Sequence, residues 1–458
     1  MTSTRQAQVV ICGAGIAGIS SAYFLAAREG IKDILLLDMD SPLSLTSDQS
    51  TECYRNWWPG PGDGMVRLMN RSIDLMEGLA QDSNNIFHLN RRGYLYCSSD
   101  PAQLPAIHQD AQEISRLGAG PVRVHEGSGG HDTYHPSEIE DYSNQPSGAD
   151  LLLGREMVRH HFPFLADDIC AVLHARRAGW LSAQQLGMYL LEQARQLGVR
   201  FLNGRVSGVE ILHDHEYRVT TASGDQIVTN TFVDAAGPFV KPVAAMLGID
   251  LPVAHELHLK VNFKDSLGVL PRSAPLVIYT NPQTLEWTAD ERHELEADPD
   301  YRFLLDEMPS GVHTRPEGGP GSQMILVLWE YSNARVNPAW PIPVDPFYAE
   351  IALRGLGRLI PGMRRYSGNF TRPTVDGGYY TKTPENRPLI GPLPVPGAFV
   401  IGALSGFGIM VSCAAGELLS KHIAGSELPE YAPAFELERY RKPDYLELLH
   451  NWVDSGQL

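Results

Sequence analysis

Cysteine is scarce and shows no pairing. The five thiols, Cys12, Cys53, Cys97, Cys170 and Cys413, are scattered and odd in number, and no two stand at CxxC spacing. That argues against a disulfide framework or a cysteine-based zinc site and fits reduced thiols in a cytoplasmic protein. Positive charge is also in short supply: 37 Lys and Arg against 54 Asp and Glu leave a net charge of −17. Nucleic-acid phosphates and anionic membranes both select basic surfaces, so neither partner is expected. Long apolar runs are missing as well, and none approaches the ~18 residues of a membrane span. The opening MTSTRQAQVV lacks the basic region, apolar stretch and small-residue cleavage site of a secretory leader. The expectation is a cytoplasmic protein without membrane insertion and without a metal. His125, His131 and His135 share one polar stretch but no ligand spacing, and read as solvated loop residues.

What is present suits a large core, since 43% of the 458 residues are hydrophobic. At about 150 residues per domain the length allows three domains, although large α/β enzymes often use two. Residues 8–12 (QVVIC) read as a strand buried on both faces. GAGIAG follows, residues 16–29 have helical composition, and 33–38 (DILLLD) form a second strand, completing one βαβ unit. Residues 41–64 read as loop, 65–80 as helix, and the glycine-rich stretch 119–150 as an exposed insertion. A helix over 186–197 precedes strands over 199–202 and 206–212, then a hairpin and the strand TFVDAA. Between 250 and 345, the segments LHLKVNF, APLVIYT and MILVLWEY alternate with proline-rich loops, the pattern of an antiparallel sheet.

Two segments carry chemistry. In Gly13-Ala14-Gly15-Ile16-Ala17-Gly18, the first glycine permits a tight turn. Gly15 leaves room for a pyrophosphate, and Gly18 lets helix and strand pack closely. The helix start offers unpaired N–H groups and partial positive charge to phosphates. Asp38 ends the next strand, where an acid accepts hydrogen bonds from ribose hydroxyls. This is a dinucleotide site. Far along the chain, a strand (AFVIGAL) leads into Ser405-Gly406-Phe407-Gly408 and a helix from about Ile409 and Met410. NAD needs one such helix end. A second suits a flavin, whose reduced ring gathers negative charge that a helix N-terminus stabilises.

With these residues in view, the sequence resembles the D-amino-acid oxidase-like superfamily of flavoenzymes, which includes relatives of sarcosine oxidase, glycine oxidase and dimethylglycine dehydrogenase. The resemblance runs through VVICGAGIAG, the stretch AGWLSAQQLGMYLLEQARQLGVRFLNGRVSGVEI, TFVDAAGPF, and TPENRPLIGPLP followed by FVIGALSGFGIMVSCAAGELLS. It implies FAD and an α/β fold: a Rossmann-like FAD-binding domain with a second substrate domain built on a mixed, largely antiparallel sheet. The expected cofactor segments are 1–85, 150–245 and 375–458, and the substrate segments 86–149 and 246–374. By the same resemblance, Val206 contacts the adenine side, Ala236 and Gly237 lie by the pyrophosphate, and Ser50 and Thr51 pass beside the flavin with Arg55 over its ring.

An arginine there can stabilise reduced flavin or orient a substrate carboxylate. Trp57 and Trp58 either wall the site or anchor the loop. Some sarcosine oxidases attach flavin through a cysteine at the position matching Gly378 or its neighbour, so the expected FAD is non-covalent. The charges with which they hold substrate match Trp58 and Met410, so sarcosine held in that manner is not expected. Arg372, near Tyr379 and Tyr380, is a second carboxylate candidate. Lys260 and Lys264 are candidates for an oxygen-activating lysine, against the alternative of solvated strand-edge residues. The implied reaction is oxidation of a small amine or amino acid by hydride transfer to flavin N5, with oxygen or another acceptor taking the electrons. No catalytic His or Glu stands out. Two alternatives remain open at this point: a 2-hydroxyacid dehydrogenase, with His255 or His258 as base, and a non-catalytic flavin-binding protein.

Overall fold

The glycine-rich opening folds as its pattern requires. In the computed structural model, which describes residues 4–126, 134–139, 141–319, 321–368 and 372–452, strand Val9–Cys12 is fully buried and turns at Gly13, φ +117°, into helix Ile16–Ala27. A Cβ at Gly13 would strike the Ala235 carbonyl, and one at Gly18 the Gly13 carbonyl, so both are packing glycines.

Strand Val9–Cys12 sits inside a six-stranded sheet. The order is Arg200–Asn203, Ile34–Asp38, Val9–Cys12, Thr231–Asp234, Ala398–Gly402 and Leu389–Pro392, parallel except for the last pair. Alternate residues of Val9–Cys12 and of 34–37 enter different cores, which is why these two runs are apolar throughout. Val9 and Ile11 pack with helices Ile16–Ala27, Ala183–Gln196 and Gly408–Ala424. Val10 and Cys12 pack with Val209, Tyr217 and Val219 of a four-stranded sheet. The helices Ile16–Ala27 and Gly408–Ala424 touch closely: Ser20 Oγ donates to the Ser412 carbonyl at 2.7 Å, and Gly416 faces Ser20.

A nine-stranded sheet forms the other half. It runs Thr374–Lys382, Ala254–Lys264, Met324–Leu328, His313–Pro316, Leu276–Tyr279, Tyr94–Ser98, Ala171–Ala175, Ala149–Leu153 and Val122–Glu126. Six of its eight neighbouring pairs are antiparallel and two are parallel. The amphipathic helix Tyr348–Leu359 buries its apolar face against this sheet.

Three expectations need correction. Residues 119–150 are not wholly an exposed insertion, because Val122–Glu126 pairs in parallel with Ala149–Leu153. His125 is accordingly buried, with Nε2 2.9 Å from Asp150 Oδ1, whereas His135 is exposed and His131 lies outside the described residues. Within 41–64, strand Cys53–Arg55 pairs with Ala178–Trp180. Finally, strands Ala149–Leu153 and Ala171–Ala175 belong to the nine-stranded sheet, although they were expected with the cofactor segments. Ala171–Ala175 pairs with Tyr94–Ser98 on one side and with Ala149–Leu153 on the other, pairings that local pattern does not reveal.

Candidate active site

Three cavities follow one another through shared lining residues, and strands of both large sheets line the second. The first is lined by Gly13, Gly15, Asp38, Val206, Ala236 and Gly237, among others. The second adds Ile16, Ala17, Ser50, Thr51, Gly408 and Ile409. Gly15, Thr46, Ser47 and Gly237 line both. The third is walled by Arg55, Trp58, Tyr94, His313, Glu330, Phe407 and Met410, and shares Thr51, Tyr380 and Gly406 with the second. The sequence-predicted cofactor residues therefore lie along one channel, except Ala14 and Gly18, which line none of these cavities.

The residues fit a dinucleotide. At Gly15 the nearest atom to an added Cβ is Ser47 Oγ at 3.3 Å, so this glycine faces the cavity while Gly13 and Gly18 face backbone. Asp38 accepts from the Ala14 N–H at 2.7 Å and from the Asp40 N–H at 3.0 Å, which fixes the turn and leaves the carboxylate on the cavity wall. Burial raises its pKa, opposed by the Ala14 N–H. Thr46 Oγ1 is buried without a hydrogen-bond partner among the described residues, beside the place where a pyrophosphate would lie.

Arg55 is 4% exposed, although arginines in polar loops are usually solvated. Its Nε donates to the Trp57 carbonyl at 3.1 Å, and its guanidinium lies 4.7 Å over the Trp58 ring. Trp58 meets Phe407 edge-on at 5.0 Å and lines the third cavity, which Trp57 does not. The strand bearing Arg55 is clamped from the other sheet. Buried Arg315 donates to the Thr51 carbonyl at 2.8 Å and pairs with Glu52 at 3.4 Å and Glu317 at 2.7 Å.

Opposite stands a charged stack. The His258 ring lies flat against Tyr380, centroids 3.9 Å apart. Its Nδ1 is 3.1 Å from Glu330 Oε1 and its Nε2 3.1 Å from Glu256 Oε2, and Lys382 Nζ is 2.6 Å from Glu256. Burial works to lower the His258 pKa, but the two carboxylates more than offset it and the net direction is upward. Glu330 moves the other way: burial raises its pKa, and His258 brings it below the usual range.

The remaining candidates fall elsewhere. Lys260 is not a solvated edge residue; it is 6% exposed, and its Nζ is held by the Gln49 carbonyl at 3.0 Å and by Asp376 at 2.5 Å. It lines none of the three cavities, so it steadies the Gln49 segment of the second one from behind. Lys264 is exposed. Arg372 is exposed, has φ +49°, and lines none of these cavities, so the structure does not bring it to Arg55 and Tyr380. His255 bonds Thr381 Oγ1 through Nδ1 at 3.1 Å, away from the third cavity. Sequence reasoning missed Ser47, Arg315, His313 and Glu330. No local pattern marks any of them.

Residues 8–422 match the DAO family, FAD dependent oxidoreductase. The chain belongs to this family. Among its relatives, mitochondrial dimethylglycine dehydrogenase of Rattus norvegicus is 27% identical over 256 residues, covering 55% of this chain and 26% of that one. Sarcosine oxidase subunit beta of Rhizobium meliloti (strain 1021) is 28% identical over 263 residues, covering 54% and 53%. The matches thus span a quarter to about half the length of these relatives. L-Proline dehydrogenase from P. horikoshii superposes with a TM-score of 0.72 at 18% identity, covering 96% of this chain and 99% of that one, a likeness of fold. Among the described residues, no helix is long and apolar enough to cross a membrane, and no group of three or more His, Cys, Asp or Glu could hold a metal ion.

Proposed function

We propose that the chain binds FAD non-covalently along the three-cavity channel and oxidises the C–N bond of a small amine or amino acid in the third cavity. One observation carries this reading: three cavities linked by shared lining residues lead from Asp38 to Arg55, with Thr51, Tyr380 and Gly406 common to the second and third, where a flavin ring would meet substrate. The flavin, when bound, supplies the two-electron, hydride-accepting chemistry. The chain's own residues supply the rest. Gly15 and the helix starts at Ile16 and Gly408 receive the phosphates and the ring. Arg55 sets positive charge beside the reacting centre, Trp58 and Tyr380 wall it from water, and Met410 closes the end.

Non-covalent attachment is supported by Gly378, which lines the second cavity without a side chain. The cavity-wall thiols Cys12 and Cys53 have pKa values raised by burial, so neither is poised as a thiolate. Amine chemistry is supported by the relatives' names, since dimethylglycine, sarcosine and proline are all amines. Neither His255 nor His258, the two bases named for a 2-hydroxyacid dehydrogenase, lines the third cavity. The five buried free thiols support a reducing compartment, the cytoplasm. The decisive experiment is an anaerobic screen of amines, amino acids and hydroxy acids against the yellow holoprotein. Bleaching by an amine is expected. Bleaching by hydroxy acids alone, or by nothing, overturns the reading.

A further inference from the structure

The third cavity contains an acid that the reaction as outlined does not use. Glu330 follows strand Met324–Leu328, and its side chain is 18% exposed on a wall that also carries Arg55, Tyr380 and His313. A carboxylate in so enclosed a place is costly unless it is paired or has a cation to receive. One oxygen lies 3.1 Å from Nδ1 of His258, on the neighbouring strand Ala254–Lys264. Behind His258 come Glu256 and Lys382, so the charges alternate outward from the cavity as carboxylate, imidazolium, carboxylate, ammonium. His258 is sealed off, with a side chain 1% exposed beneath the Tyr380 ring. It cannot reach a substrate and can only hold the acid that does.

We infer that Glu330 is a catalytic residue that recognises the substrate's ammonium group and takes its proton, and that His258 is the positioning residue that keeps Glu330 ionised and aimed. The inference rests on the amine-oxidation reading and narrows it. The substrate is an amine that arrives protonated, with Arg55 across the cavity for any carboxylate it carries. The step balances as follows. One N–H proton passes to Glu330, leaving a neutral amine with its lone pair. The adjacent C–H then leaves as hydride with both bonding electrons to the bound flavin, which is the oxidant, while the lone pair forms the C=N bond. Water later hydrolyses the imine. The charged and titratable groups facing Glu330 are His258 and Lys382 from two strands, His313 from a third, the hydroxyls of Tyr348 and Tyr380, and Arg55 on the same wall.

Two variants of the holoprotein test this. Glu330→Gln keeps the shape and removes the charge. Titrated through the flavin absorbance, methylammonium should bind it at least tenfold more weakly than it binds the parent, while acetate binds within about threefold. Equal methylammonium affinity in parent and variant overturns the inference. His258→Gln removes the cation beside Glu330, so the acid limb of the flavin-reduction profile should move to higher pH, a change that a merely structural role would not produce. An unmoved limb overturns the positioning role. The two readings fail separately. If no amine bleaches the parent, amine oxidation is wrong. If an amine does bleach it but Glu330→Gln binds methylammonium normally, only this inference falls.

Discussion

Arg55 holds its place through other residues, and Arg315 does most of that holding. Arg315 is 1% exposed and grips the Thr51 carbonyl while facing Glu52 and Glu317. Arg315→Met should cost about 3 kcal/mol, the low end for breaking a buried pair, because both acids keep some solvent. Chemical denaturation measures this, and an unchanged midpoint would show the clamp to be idle. Arg55→Met should behave differently. Its aliphatic stem still packs on Trp58, so fold and FAD content should persist. Positive charge beside the flavin stabilises the transition state more than the ground state, because the ring gains negative charge as hydride arrives. Losing one such preorganised contact costs about two to three orders of magnitude in rate. Stopped-flow reduction within a factor of about three of the parent would remove Arg55 from the active site.

Among the elements, two helical glycines make opposite demands. Gly416 packs helix Gly408–Ala424 against helix Ile16–Ala27, and a Cβ there would strike Ser20, including its backbone. These are the two helices whose first residues line the second cavity, so in the proposed binding mode their spacing sets the distance between phosphate and flavin ends. Gly416→Val should destabilise by about 1–3 kcal/mol through overpacking and lower FAD content with it. Gly78 lies on the exposed face of helix Gly64–Asp82 with nothing within 4 Å of an added Cβ. Gly78→Ala should stabilise by about 0.5–1 kcal/mol, because alanine restricts the unfolded chain and suits a helix interior. Paired melts of the two variants should move in opposite directions.

The same contrast explains what was legible in the sequence. Glycine turns, caps and apolar strands write themselves locally, so the βαβ unit, Asp38 and the 405–410 turn could be read directly. Val122–Glu126 could not, because burial there runs against residue type: Val124 is exposed and His125 is buried against the partner strand. Glu330 and His258 are brought together by the register that pairs Lys260 with Leu328 across two strands far apart in sequence. Arg372 illustrates the converse: nearness to Tyr379 and Tyr380 along the chain did not become nearness in space.

Across the whole molecule, the channel is built from both large sheets. Gly15 and Ala235 come from the six-stranded half, while Gly378, Tyr379 and Tyr380 come from strand Thr374–Lys382 of the nine-stranded half. A cofactor lying there touches both halves and should tie their unfolding together. Anything that binds only the folded state stabilises it by mass action, about 2.7 kcal/mol when free ligand is 100 times Kd. Protein stripped of FAD should therefore melt several degrees lower and over a broader or split transition, with the two halves uncoupled. Added FAD should raise and sharpen the melt in proportion to the logarithm of its concentration. Gly15→Val places a side chain where the pyrophosphate passes, so its melt should match that of stripped parent and ignore added FAD. The proposed non-covalent attachment predicts that acid precipitation leaves the yellow colour in the supernatant. Colour that stays with the pellet would reveal a covalent bond, and a Gly15→Val protein that still melts with the FAD-bound parent would mean that the cofactor lies elsewhere.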